Sequence, residues 1–138
     1  MNEAAILATD ALLGEDFKTV ILGGKGYSLK PPTIKVMCMG LREWAKIDFQ
    51  IKNQTNISLV TQIPDIVEHQ LRGISYFIAE TRSEANKIFN RCMRCNPSVT
   101  QDELNIAIGT IMSLIDKEAV FQGAQECLSA TKIIARSK

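Results

Sequence analysis

Val20-Ile21-Leu22-Gly23-Gly24-Lys25-Gly26-Tyr27-Ser28-Leu29-Lys30-Pro31-Pro32-Thr33 is the stretch on which the reading of this chain turns. Phe17 to Leu22 and Tyr27 to Lys30 pattern as two short strands around a glycine-rich turn. With Gly24-Lys25 as the two-residue loop, Leu22 faces Tyr27 and Val20 faces Leu29, and both apolar pairs share one face. With Gly23-Gly24 as the loop, Leu22 faces Lys25 and Lys18 faces Leu29. The first register is expected, because it matches apolar partners and puts Gly24 first in a type II′ turn. A lone hairpin is marginal in water, so this one has to lean on helices or on another subunit. Pro31-Pro32 ends the second strand, since proline lacks the amide donor and keeps the residue before it extended. Thr33 then caps a helix.

Downstream the pattern is helical. Ile34, Met37, Cys38, Leu41, Trp44 and Ala45 recur at helical period, with Lys35, Arg42, Glu43 and Lys46 on the opposite face. This predicts a helix over about 33–48, with the first set inward. Residues 49–56 are polar and Asn-rich and read as a loop. A helix beginning near Ile57 is broken or restarted at Pro64, which suits a first turn, and runs to about Glu80 with Val67, Leu71, Ile74, Phe77 and Ile78 inward. Ser83 to Cys95 is a further helix, with Ile88, Phe89, Cys92 and Met93 inward, stopped by Asn96-Pro97. Thr100-Gln101-Asp102-Glu103 is a capping box opening a helix that buries Leu104, Ala107, Ile108, Ile111, Met112 and Ile115. A last helical pattern, from about Lys117 to Ile134, carries Phe121, Ala124, Leu128, Thr131 and Ala135. It has no strong breaker before it and is compatible with continuity. Residues 2–13, alanine-rich and stopped by Gly14, read as a short helix or a frayed leader.

The fold expected is mainly α: a single domain over 1–138, with one short N-terminal β-hairpin (about 17–30) and a helical body (about 33–136). The chain has 138 residues, 46% of them hydrophobic and 22% charged, which are ordinary globular values. A formal net charge of +1 provides no global field toward nucleic acid, membranes or acidic substrates. The N-terminus lacks the positive start and apolar run of a signal peptide. The most apolar window, Leu104 to Ile115, is too short to span a bilayer. An intracellular protein with reduced thiols is the expectation.

No constellation with recognisable chemistry emerges, so neither catalytic residues nor a cofactor or metal site are assigned. Cys92-Met93-Arg94-Cys95 lacks the second cysteine pair of a structural zinc site, and the only histidine is His69. Gly23-Gly24-Lys25-Gly26 is followed by a strand and two prolines, whereas a phosphate loop runs straight into a helix. His69 has no nucleophile beside it in the sequence and reads as structural. Arg82, Lys87, Arg91 and Arg94 cluster on one helix without interleaved aromatics. A solvated face is the preferred reading, and a small nucleic-acid-binding regulator from a mobile element is the alternative. Trp44, the sole tryptophan, is expected to pack in the core with its N–H satisfied.

The segment Thr19-Val20-Ile21-Leu22-Gly23-Gly24-Lys25-x-Tyr27-x-Leu29-Lys30-Pro31-Pro32-Thr33 resembles the N-terminal pattern of small phage tail assembly chaperones, in which such a stretch precedes a helical body. The resemblance implies a non-enzymatic protein made in the cytoplasm of a bacterial host. Its clients would be the tail tape measure protein or tail tube protein, held before the tail polymerises, and a programmed frameshift would give some copies a longer end. The expected docking or oligomer element is the hairpin, with Tyr27, Leu29, Pro31 and Pro32 as partner-binding residues. Homo-oligomerisation is compatible, because the hairpin edges are open for pairing.

Overall fold

The computed structural model describes residues 17–51 and 60–137, with side chains placed for 17–47 and 60–133. The reading of residues 2–13, and that of a helix starting near Ile57, lie outside the described residues. Strands β1 (Lys18–Leu22) and β2 (Lys25–Leu29) are followed by helices α1 (Ile34–Ile51), α2 (Ile63–Ala79), α3 (Arg82–Arg94), α4 (Gln101–Leu114) and α5 (Lys117–Ser137). The mainly helical fold with one N-terminal hairpin is therefore as the sequence predicts.

The hairpin adopts the other register. Val20 pairs with Tyr27, Leu22 with Lys25 and Lys18 with Leu29, closing the loop at Gly23-Gly24. Both glycines have positive φ, +60° and +79°. That is the requirement of a type I′ turn, whose twist matches the strands, and it outweighs direct apolar pairing. The two registers differ by two residues, and side chains alternate with a period of two, so the faces are unchanged. Val20, Leu22, Tyr27 and Leu29 still share one face, and all four are buried. They join Val36, Leu71, Ile74, Leu104 and Ile111 in a common core. The hairpin leans on α4 through β1 and on α2 through β2, so the chain's own helices supply the support it needs.

Helices α1 and α2 pack antiparallel through a reciprocal device. The Phe77 ring of α2 packs against Gly40 of α1, and the Trp44 indole of α1 packs against Gly73 of α2. The two rings meet with centroids 5.2 Å apart at 34°. Trp44 Nε1 donates to the Gln70 carbonyl at 3.1 Å, the satisfied N–H that its place in the core demands.

This seam corrects the expected inward face of α1. Val36, Gly40 and Glu43 are buried, whereas Ile34, Cys38, Leu41 and Ala45 are exposed. Helical geometry spreads the apolar residues of α1 over more than half its circumference, more than one neighbouring helix can cover. Glycine against an aromatic ring permits the closest approach, so shape selected which arc went inside. The helix also continues to Ile51, so residues 49–51 are helical where a loop is expected.

The remaining elements follow their local signals. Pro64 and Asp65 occupy the first turn of α2. Glu80 caps its end at φ 65° and pairs with Lys30. On α3, Phe89 and Cys92 are buried and Ile88 half-buried, but Met93, expected inward, is 57% exposed. The capping box of α4 is complete. Thr100 Oγ1 accepts from the Glu103 N–H at 3.2 Å, and Glu103 Oε1 accepts from the Thr100 N–H at 2.9 Å. Between α4 and α5 the chain breaks at Ile115, which is extended (φ −83°, ψ 123°). Asp116 Oδ1 then accepts from the Ala119 N–H at 3.0 Å, so α5 starts with its own cap and is not a continuation of α4.

Candidate functional site

The arc of α1 left outside the core is one wall of an open groove of about 900 Å³. Ile34, Met37, Cys38, Leu41 and Ala45 form that wall. The opposite wall comes from the end of α4, with Met112 and Ile115, and from the first turns of α5, with Val120 and Phe121. Among the described residues, Arg42 and Lys117 are the only charged side chains on its lining. Ile34 is 76% exposed and Phe121 67% exposed, so large apolar surface faces solvent from both walls. Contiguous exposed apolar surface of this kind marks protein or membrane interaction sites and ligand-binding grooves.

The sequence pointed instead to the hairpin. Tyr27 and Leu29 are 8% and 1% exposed and are committed to the chain's own core. The Tyr27 hydroxyl accepts from Arg91 Nη1 at 2.8 Å, and burial pushes its pKa above the ordinary value. Pro31 is exposed and Pro32 half-buried. Both stand in the corner leading to Ile34, a residue of the groove lining, but none of the four lines the groove itself, and Tyr27 and Leu29 belong to the core. Sequence periodicity named Ile34, Cys38, Leu41 and Ala45 but assigned them to the core. The available signal was the width of the apolar arc of α1.

The other candidates have structural explanations. Cys92 is buried, and its thiol pKa is raised by burial, which leaves it unactivated. Cys95 Sγ donates to the Cys92 carbonyl at 3.5 Å, and both cysteines are free thiols. Among the described residues no group of three potential ligands is placed to hold a metal ion. Of the basic cluster on α3, Arg91 is half-buried and engaged with Tyr27, while Arg82, Lys87 and Arg94 are exposed. No described helix is long and apolar enough to cross a membrane.

One polar cluster lies between α1 and α2. Glu43 is 7% exposed, its carboxylate bonded by His69 Nδ1 at 2.8 Å and by Lys46 Nζ at 3.0 Å. The carboxylate can only accept, so Nδ1 carries the hydrogen. Burial opposes the charged form, but the bonds from His69 and Lys46 outweigh it and hold the Glu43 pKa below its ordinary 4.5. A depressed carboxyl pKa contributes stability that is fully present above the unfolded value and lost as pH falls through the folded one. Thermal melts on the acid side of 4.5 should therefore show a shallower loss of stability in Glu43→Gln than in the parent chain. Equal slopes would mean that the cluster has no net electrostatic role.

Comparison with protein-family models, with curated proteins and with solved structures returns no match for this chain.

Proposed function

We propose that this chain is a non-enzymatic assembly chaperone of phage tail morphogenesis that seats an apolar helix of its client in the groove between α1 and α5. The observation that carries the reading is the outward-facing apolar wall of α1, Ile34 to Ala45, standing opposite Val120 and Phe121. Such a groove suits the apolar stripe of an amphipathic helix. Arg42 and Lys117 at its margin favour a helix with acidic residues beside the stripe. The resemblance of Thr19–Thr33 to tail assembly chaperones supplies the client class. Of tape measure and tail tube proteins, the long helical tape measure fits the groove better. Binding masks client apolar surface and is reversed when tail polymerisation covers that surface instead. The hairpin acts indirectly, fixing the Pro31-Pro32 corner from which α1 projects.

The test is co-expression with the tape measure protein of the same genome, read by client solubility and co-purification. The parent chain should hold the client in solution. Leu41→Asp, at a side chain already 40% exposed, should fold normally and capture at least about tenfold less client. Capture unaffected by Leu41→Asp, or no capture by the parent chain, would overturn the assignment.

A further inference from the structure

No described element covers the groove. Ile34 and Leu41 on one wall and Val120 and Phe121 on the other are all exposed. Residues 1–16 lie outside the described residues, and their sequence matches the groove on two counts. The first is the apolar pattern. Ala4, Leu7, Ala8, Ala11 and Leu12 stand at offsets 0, 3, 4, 7 and 8, the spacing of one continuous apolar face on a helix. The second is charge. Glu3 and Asp10, seven positions apart, fall together on one margin of that face. Glu15 and Asp16 follow, and all 16 lysines and arginines of the chain lie beyond residue 16. Arg42 and Lys117, the charged side chains on the described groove lining, are both basic.

We propose that residues 2–13 of the same chain occupy this groove as a helix, with Leu7 and Leu12 turned into it and Glu3 and Asp10 on the side of Arg42 and Lys117. The point of entry selects this segment over an acidic helix from elsewhere. Lys18 is the antiparallel partner of Leu29, and Leu29 stands five residues before Ile34, the first groove residue of α1. Cross-strand partners are about 5 Å apart and five residues span at most about 18 Å, so the segment joins the fold within about 23 Å of the groove. With residues 2–13 helical and the chain from Leu13 to Lys18 extended, it reaches about 35 Å. Tethered at that range, it meets the groove at an effective concentration on the order of millimolar, so a modest affinity fills the site. Charge disfavours the other exposed helical segment of the chain. The end of α5 has Lys132 and no acidic residue after Glu126, and would bring like charge to Arg42 and Lys117.

The inference rests on the groove of the proposed function but not on its client. If both hold, the N-terminal segment is an internal competitor that a client helix must displace. Cys38, an exposed thiol on the α1 wall, reports occupancy of the groove in the full chain. The experiment follows modification by N-ethylmaleimide, cysteine by cysteine, with mass spectrometry. Cys127, exposed and off the groove lining, is the reference, and Cys92, buried, stays unmodified while the core is intact. Leu7→Asp should raise the Cys38 rate at least about fivefold and leave the Cys127 rate unchanged. Glu3→Gln with Asp10→Asn, which alters charge alone, should raise the Cys38 rate about threefold at low salt. The protection in the parent chain should not depend on protein concentration. A Cys38 rate that Leu7→Asp leaves unchanged would overturn the proposal, and so would one indifferent to loss of the two carboxylates. Protection that fades on dilution would overturn it too, by assigning the groove to a second copy. Leu7→Asp should also capture more client than the parent chain. Cys38 protected by the segment in a chain that ignores the client would sink the chaperone reading alone. Client capture with Cys38 indifferent to both variants would sink the segment's role alone.

Discussion

Gly40→Val is expected to destabilise the chain by about 3 kcal/mol and to lower its melting temperature by roughly 10 °C. A Cβ at Gly40 would stand 2.8 and 2.9 Å from two Phe77 ring carbons and closer still to a third. The ring cannot give way. Phe77 is 5% exposed, and its other neighbour is the Trp44 indole, itself laid on Gly73 and tied to the Gln70 carbonyl. Relief therefore requires α1 to move off α2, and α1 has no other large contact among the described elements. A Cβ at Gly73 would meet the Trp44 indole in the same way, so Gly73→Val should behave like Gly40→Val. Gly109 provides the internal standard. It lies in α4 with nothing within 4 Å of a Cβ, so Gly109→Ala should stabilise by up to about 1 kcal/mol through helix propensity. Thermal melts of the three variants decide the matter. A Gly40→Val chain that melts with the parent would mean that the ring-on-glycine seam does not hold α1 in place.

That seam also explains what the sequence could and could not disclose. Local signals were legible because their physics is local: Pro64 in a first turn, the Thr100–Glu103 capping box, and the Asn96-Pro97 stop all act within a few residues. The faces of α2 and α4 were legible as well, since each has a single apolar arc. For α1 the arc was too wide, and periodicity favoured the side with Ile34, Cys38 and Leu41. The side that went inside carries Gly40 and Glu43, neither of which scores as apolar. Gly40 is chosen by the shape of Phe77 on another helix, and Glu43 is tolerated because His69, 26 positions away, bonds it. Neither relation is visible until α2 is placed. The groove was missed for the same reason: its α1 residues were identified, but an apolar stripe does not say whether it faces the core or a partner. The α5 face, legible as amphipathic, carried the same ambiguity.

The hairpin turn, set by its two positive-φ glycines, is also docked on the helices, and it yields the second large effect. Gly23→Ala should cost about 3 kcal/mol: roughly 1 for an alanine at φ +60°, and the rest for crowding. An added Cβ would run into Cys95 Sγ and stand 3.0 Å from the Pro97 carbonyl oxygen and 3.3 Å from Val99 Cγ2. The turn is thus pressed onto the connection between α3 and α4. It is fastened there as well: the Gly23 N–H donates to Glu103 Oε1 at 3.3 Å, the same oxygen that accepts from Thr100 in the capping box of α4. Moving the turn to make room would loosen that cap. It would also shift Leu22, which is fully buried immediately before the turn. Gly24 has a more positive φ, +79°, but a Cβ there meets only the Pro97 ring, at 3.3 Å. Gly24→Ala should therefore cost about 1 kcal/mol, and Gly24→Asn less, because asparagine tolerates the left-handed region. Backbone strain alone predicts similar losses at both positions, whereas a turn docked through Gly23 predicts a clear gap. Chemical denaturation of the two alanine variants measures that gap. Equal losses would show that the hairpin tip is not anchored to the helices through Gly23.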